Sequence, residues 1–373
     1  MRPALVTALV VACGLFAAGG GAQDGPADPA RVAKSKAIQK TFSDEFDGLL
    51  KKFQQATTPA EKNGVKTEAK ELAALTAEKV VAFVAENPKD AAAFDLARFG
   101  LTKLPSFGVT GAPIEKLAAA VADHHLGHPD LGDVVIVAGR LGAPGEKILR
   151  AAEKSPDKKT RGTALLLLGT NLAEQANDAP TLKGGVEMTD RAVQYLEKAA
   201  KEAGDVRVGP ATIEKMAAEQ LEMIKTLGIG RPAPEITGVG LKDEKTTLSS
   251  LKGKVVLLDI WATWCPPCRA MIPHERELVK RMEKKPFVLV SVSADEKRET
   301  LTEFIGREPM PWTHWWNGKD GPILEAYRVE AFPTLYLIDA RGTIRKKWVG
   351  APENEALDKA VEELVREAEA VTN

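Results

Sequence analysis

Two kinds of periodicity divide the chain. From Ala30 to Leu227, apolar residues recur at helical spacing within segments rich in Ala, Leu, Glu and Lys, and β-branched clusters are few. Pro59-Ala60-Glu61 opens a long helix in which Leu72, Leu75, Lys79, Val80, Phe83 and Val84 trace one face until Asn87-Pro88 stops it. Further helices are predicted over 90–103, 114–125, 130–141, 145–154, 158–176, 185–203 and 210–227, with Gly/Pro and Ser-Pro breaks between several of them. The short breaks imply antiparallel αα-hairpins, with tetratricopeptide-like or HEAT-like stacking as one arrangement of uneven repeat. Leu165 to Leu168, apolar on every side, is expected to lie deepest.

After Gly228 to Pro234, which reads as a joint, the spacing becomes strand-like. Val255 to Ile260 is a continuous apolar run of buried-strand length, followed by a helix over 269–284, a strand over 287–292 and a helix over 296–305. A short helix at 321–327 precedes strands at 334–338 and 343–348 around Asp339-Ala340-Arg341-Gly342. A helix from Asn354 carries Leu357, Val361, Leu364 and Val365 on one face. Alternating strands and helices that end in a hairpin predict a mixed sheet covered by helices. Pro309 to Gly318, with Trp312, His314, Trp315 and Trp316, reads as a loop whose aromatics either meet a partner or anchor an insertion.

At 373 residues, with 44% hydrophobic and 28% charged, the chain has the composition of a globular protein of two folded units. Its 51 basic and 52 acidic residues nearly cancel, so nothing electrostatic recommends nucleic acid as a partner. Arg2, the apolar stretch from Ala4 to Ala18 and the small residues up to Ala22 predict a cleaved signal peptide over 1–22, hence a periplasmic or secreted protein. A lipoprotein reading through Cys13 and an uncleaved anchor are the other possibilities. The predicted organisation is signal peptide 1–22, flexible lead 23–29, helical domain 30–227, linker 228–234 and α/β domain 235–373.

Cleavage removes Cys13 and leaves Cys265 and Cys268 as the only thiols. In Trp264-Cys265-Pro266-Pro267-Cys268 they sit at a strand-to-helix turn, where a two-residue spacing closes a small, reopenable disulfide ring. So short a loop constrains little unfolded-chain entropy, which argues for reactivity over scaffolding. With Cys265 as N-cap, the helix start favours its thiolate, so Cys265 is the expected nucleophile and Cys268 the resolving thiol. Asp259, in the apolar run and on the face of Val255 and Leu257, reads either as a proton carrier for Cys268 or as a solvated strand end. Zinc at the cysteines lacks further ligands. The cluster His124, His125 and His128 is expected to be a solvated helix end, because Gly127 and Pro129 break the helix a metal pair would need. His274 is expected at an exposed helix position.

The stretch from Gly253 to Cys268 resembles the extracytoplasmic thioredoxin-like family of TlpA/ResA type, and the likeness extends over residues 231–373 only. Pro273 in the helix, Phe332-Pro333-Thr334 before a strand and Gly350 after the last one add to it. The resemblance implies a thioredoxin fold and thiol:disulfide exchange on cysteine-containing protein substrates. It implies Cys265 and Cys268 as the redox pair, Asp259 aiding proton transfer, and Trp264, Phe332, cis-Pro333 and Thr334 shaping the substrate groove. It implies no cofactor beyond the redox-active disulfide, and a reductant would draw electrons from a membrane donor. Met271 departs from the pattern, because reductases of cytochrome c maturation often carry an acidic residue there. A peroxiredoxin-like peroxidase shares the fold but carries Thr where Ala262 stands, and a helical binding protein with an auxiliary redox domain is the third class.

Overall fold

The computed structural model describes residues 28–372, so the signal peptide expected at 1–22, Cys13 and nearly all of the lead expected at 23–29 lie outside it. No helix among the described residues is long and apolar enough to cross a membrane. The chain divides into two compact units. The described residues up to Asn171 join Gln194–Ala218 in one, and Leu172–Val193 join everything from Glu219 onward in the other.

The helical region comprises α1 (Pro29–Gln55), α2 (Pro59–Glu86), α3 (Ala91–Lys103), α4 (Ala112–His124), α5 (Leu131–Ala138), α6 (Ala143–Ala152), α7 (Lys158–Ala176), α8 (Leu182–Ala203) and α9 (Ile213–Leu227). Its boundaries follow capping chemistry. Thr58 and Glu61 form a reciprocal capping box at the start of α2, and Asp90 caps α3. Asp28 caps α1, so the first helix starts within the expected lead. The core of this unit is built from Phe83, Phe94, Leu96, Leu101 and Leu117, joined by Leu168 of the apolar run in α7. Leu75, placed by periodicity on the buried face of α2, is instead 58% exposed. A two-residue hairpin, β1 (Arg207–Val208) with β2 (Ala211–Thr212), precedes α9 and is too short to leave a periodic signal.

The histidine cluster differs from the expected solvated helix end. Only His124 is exposed. His125 is 1% exposed, with its Nε2 2.6 Å from Pro88 O, and His128 stacks on Phe94 with ring centroids 3.7 Å apart. Their aromatic bodies are covered by the α3 side chains, which the local pattern could not foresee.

The second unit holds a seven-stranded mixed sheet. Its strands are β3 (Thr237–Val239), β4 (Lys245–Thr247), β5 (Val255–Trp261), β6 (Phe287–Ser293), β7 (Thr313–Trp316), β8 (Thr334–Ile338) and β9 (Ile344–Val349), in the order β4-β3-β7-β6-β5-β8-β9. β5, β6 and β7 are parallel neighbours, while β8 and β9 run antiparallel to them. The helices are α10 (Pro266–Arg281), α11 (Arg298–Arg307), α12 (Pro322–Ala326) and α13 (Asn354–Thr372). Right-handed crossovers put α10 and α11 on one face. Val255 and Leu257 of β5 pack there with Met271 and Leu278 of α10 and Leu357 and Val361 of α13. Val256, Leu258 and Ile260 point the other way, against Ile323 of α12, Tyr327, Leu227 and Ile229. The sheet is therefore covered on both faces, as a thioredoxin fold requires.

The segment expected as a linker, 228–234, lies inside this unit. Gly230 N donates to Ile344 O, Ile344 N to Arg231 O and Ala233 N to Gly342 O, each at 2.9 Å, so the backbone is stitched to the last hairpin. The tryptophan-rich stretch at 309–318 is likewise not a loop. It contains β7, paired from Val290↔Thr313 to Ser293↔Trp316, and Trp315 is fully buried. Gly238 of β3, the strand between β4 and β7, is needed opposite it, since a Cβ there would lie 1.7 Å from the Trp315 ring. Replacing Trp315 with Ala is expected to destabilise this unit by about 3–5 kcal/mol, read from the denaturant midpoint of its unfolding transition.

Candidate functional site

The parallel strands deliver their carboxyl ends to one edge of the sheet, where open α/β sheets carry their chemistry. β5 ends at Trp261, and Ala262, Thr263 and Trp264 lead into α10. Cys265 is the N-cap, in extended conformation (φ −90°, ψ 109°), with prolines at the first two helical positions. A proline at N1 costs nothing because that N–H has no intrahelical partner. Two prolines leave Cys268 N as the donor to the cap, 3.3 Å from Cys265 Sγ. Cys265 and Cys268 form a disulfide across a Cα separation of 5.4 Å, and each is only 4% exposed.

The approach to the cysteines is held from the neighbouring strand end. The buried Asp295 carboxylate accepts from Thr263 Oγ1 at 2.7 Å, from Thr263 N at 3.2 Å and from Ser293 Oγ at 2.7 Å. Trp316 Nε1 donates to Asp295 O at 2.8 Å. Sequence reasoning passed over Asp295, although its place just after β6, beside the end of β5, is the signal that could have found it.

The residues expected to shape a groove converge beside the disulfide. Phe332 packs on the cluster that contains Cys265 and Cys268, and the Phe332–Pro333 peptide is cis. Pro333 O accepts from Gly350 N at 2.8 Å, and Gly350 has φ 89°, a conformation open to glycine. Thr334 Oγ1 donates to Ala331 O at 2.8 Å, and Thr334 pairs with Ile260 at the end of β5. Trp264 is 64% exposed, its ring edge-on to Phe332 at 5.6 Å. The exposed indole and the half-buried phenyl together make an angled apolar surface beside the disulfide cluster.

Asp259 lies in β5 between Leu335 of β8 and Ser291 of β6, on the same face as Val255 and Leu257. It is 4% exposed, and burial pushes its carboxyl up to about 7, so the solvated strand end is ruled out. Sequence reasoning missed a second buried acid, Glu275, on the stripe Cys268, Met271, Ile272, Glu275 and Leu278 of α10. Desolvation, and then the Asp259 charge, push Glu275 well above the usual carboxylate range. An acidic residue inside an otherwise apolar i, i+3, i+7 stripe was the available signal. His274 is not exposed as expected: its Nε2 lies 2.9 Å from Asp358 Oδ1 of α13, and Asp358 also pairs with Arg281.

The AhpC/TSA family model matches residues 229–347. The thiol-disulfide oxidoreductase ResA of Bacillus cereus is 30% identical over 136 residues, which are 36% of this chain and 78% of that protein. The ResA of Oceanobacillus iheyensis is 32% identical over 133 residues, 34% of this chain and 68% of that protein. Through its C-terminal domain, the chain belongs to the ResA-type thiol-disulfide oxidoreductases. The solved thioredoxin domain of a thiol-disulfide oxidoreductase from Bacteroides vulgatus is 32% identical, with 36% of this chain and 96% of that domain covered and a TM-score of 0.34. Met271, where the resemblance to cytochrome c maturation reductases leads one to expect an acid, is buried with Val255 and Leu257, and the buried acid of α10 is Glu275, one turn further along.

Proposed function

We propose that the C-terminal domain reduces disulfides in extracytoplasmic protein substrates through the Cys265–Cys268 couple, which carries the electrons without a further cofactor. The observation that carries this reading is the disulfide at the first turn of α10, with Cys265 Sγ at the cap and facing the Cys268 amide. In the dithiol form, the Cys265 thiolate attacks a substrate disulfide, joins one sulfur in a mixed disulfide and expels the other as a thiolate. Cys268 then loses its proton to the Asp259 carboxylate, and its thiolate attacks Cys265 Sγ. The Cys265–Cys268 bond forms, the second substrate thiolate leaves, and two electrons have passed to the substrate. Trp264 and Phe332 hold the substrate chain, and Pro333 and Thr334 present the backbone beside it.

The two prolines favour the reducing direction. A couple becomes a strong oxidant when its thiolate is heavily stabilised. Here Pro266 and Pro267 remove two amides, so the cap sulfur receives a single N–H. Restoring the N2 amide with Pro267→Ala adds one hydrogen bond to a charged acceptor, worth about 1.5 kcal/mol. The equilibrium with glutathione is then expected to move roughly tenfold toward the dithiol. An equilibrium equal to or more reducing than wild type would contradict this.

In the cell, the reduced state requires a donor on the membrane side, and the helical unit supplies partner choice. The signal-peptide pattern at 1–22 supports the compartment. Insulin reduction by the full chain in the presence of dithiothreitol tests the activity. Turnover above the dithiothreitol background supports it, and consumption of hydroperoxide without insulin reduction would transfer the protein to the peroxidase class.

A further inference from the structure

Asp259 is not alone behind the disulfide. β5 directs Val255, Leu257, Asp259 and Trp261 to the face covered by α10. α10 directs Cys268, Met271, Glu275 and Leu278 back at it. Helical side chains lean toward the helix start, so the Glu275 carboxyl reaches from its own turn toward Met271 and Cys268. Both carboxyls thus enter one apolar layer, in which Asp259 Oδ1 and Glu275 Oε1 are buried and have no hydrogen-bond partner.

The surrounding elements offer these acids little charge compensation. β8 contributes Leu335 opposite Asp259, and β6 contributes Ser291, whose Oγ is engaged with His314 Nδ1 at 2.7 Å. His314 of β7, kept neutral by burial, places its other ring nitrogen 2.8 Å from Met310 O. α13 brings Leu357 and Val361 to the layer, while its Asp358 is held by His274 and Arg281 of α10. Two buried carboxylates in such a layer cannot both ionise. A protonated carboxyl, however, is a donor as well as an acceptor.

We propose that Glu275 keeps its proton and donates its O–H to the Asp259 carboxylate, so that Glu275 is a positioning residue for the step in which Asp259 takes the proton of Cys268. This deepens the exchange reading above and rests on it. Glu275 forms no bond to the reacting sulfurs. It stabilises the charged form of Asp259, without which Asp259 would hold its own proton and could not accept another. The charge order agrees, since the Asp259 carboxylate in turn raises Glu275.

The test uses the reduced full chain carrying Cys13→Ser and a chromogenic aromatic disulfide, dithiobisnitrobenzoate. Attack by Cys265 releases one nitrothiobenzoate, and resolution by Cys268 releases the second, so the first release is an internal reference for the second. Glu275→Met, which packs in the apolar layer but has no O–H, is expected to move the pH midpoint of the second release upward by about one unit or more, the loss of one hydrogen bond to a charge. Glu275→Gln, which retains a donor, should restore the midpoint to within about half a unit. In an Asp259→Asn background, Glu275→Met should cause no shift, because nothing remains for it to act through. An unchanged midpoint in Glu275→Met, or the same shift with and without Asp259, overturns the proposal. Absence of a first release from wild type overturns the exchange reading and this inference with it. A carbon-13 titration of the wild-type carboxyls checks the inference without substitution at Glu275. Glu275 should remain protonated while Asp259 ionises, and the reverse order refutes it.

Discussion

Cys265→Ser is expected to abolish insulin reduction by the full chain, at least about a thousandfold, while the unfolding midpoint changes little. The serine oxygen can occupy the N-cap as the sulfur does and accept from Cys268 N, so the helix start survives. What disappears is the attacking sulfur. Cys268 does not take its place, because it lies inside the first turn of α10 and not at the N-cap, where the helix start favours a thiolate. A variant that keeps more than a few per cent of the activity would show that exchange does not begin at Cys265.

Asp259→Asn should slow the resolving step about a hundredfold near neutral pH, the common loss when a positioned base is removed. The same substitution should stabilise the fold, and the sign follows from the titration. Burial raises Asp259 from 3.8 to about 7 in the folded chain. The folded state therefore holds this proton more tightly than the unfolded state. Stability is full below about pH 4 and declines as pH rises through about 7. Asparagine has no such proton to lose, so the variant should exceed wild type at pH 8 by an amount on the order of a few kcal/mol, with little difference at pH 4. Denaturant midpoints at the two pH values give the comparison. Equal gains at both would mean that packing, not ionisation, is responsible.

Much of the redox domain is legible in the residues themselves. The run Val255 to Ile260 is continuous because β5 is buried on both faces, and period-two counting correctly puts Asp259 with Val255 and Leu257. Pro59, Asp90 and Pro273 mark helix starts and a helix interior that the structure contains. The failures have local causes. Thr237–Val239 and Lys245–Thr247 carry no apolar run because they form the thin edge of the sheet. Thr313–Trp316 mixes polar and aromatic residues because His314 and Ser291 satisfy one another inside the core. Tertiary partners alone turn such a segment from loop into strand.

At the site, the cysteines, Trp264, Phe332, Pro333 and Thr334 are adjacent in space as their motifs suggested, with Phe332 the bridge between Trp264 and the disulfide cluster. Asp295 and Glu275 were hidden for different reasons. Asp295 acts through Thr263, 32 positions away in the chain, and no local spacing joins the two. Glu275 looks like one more charged residue in Pro-His-Glu-Arg-Glu until the helix is wound and shows that it alone of the two glutamates there is buried. The periodicity that places Leu278 in the core also places Glu275 there.

The most direct measurement is the covalent one. The full chain with Cys268→Ala and Cys13→Ser, reduced and mixed with oxidised insulin, should accumulate a mixed disulfide. Peptide mass mapping should locate it at Cys265, and it should vanish when Cys265 is also replaced. An adduct that fails to form while the wild type reduces insulin, or one that persists without Cys265, would contradict exchange through this pair.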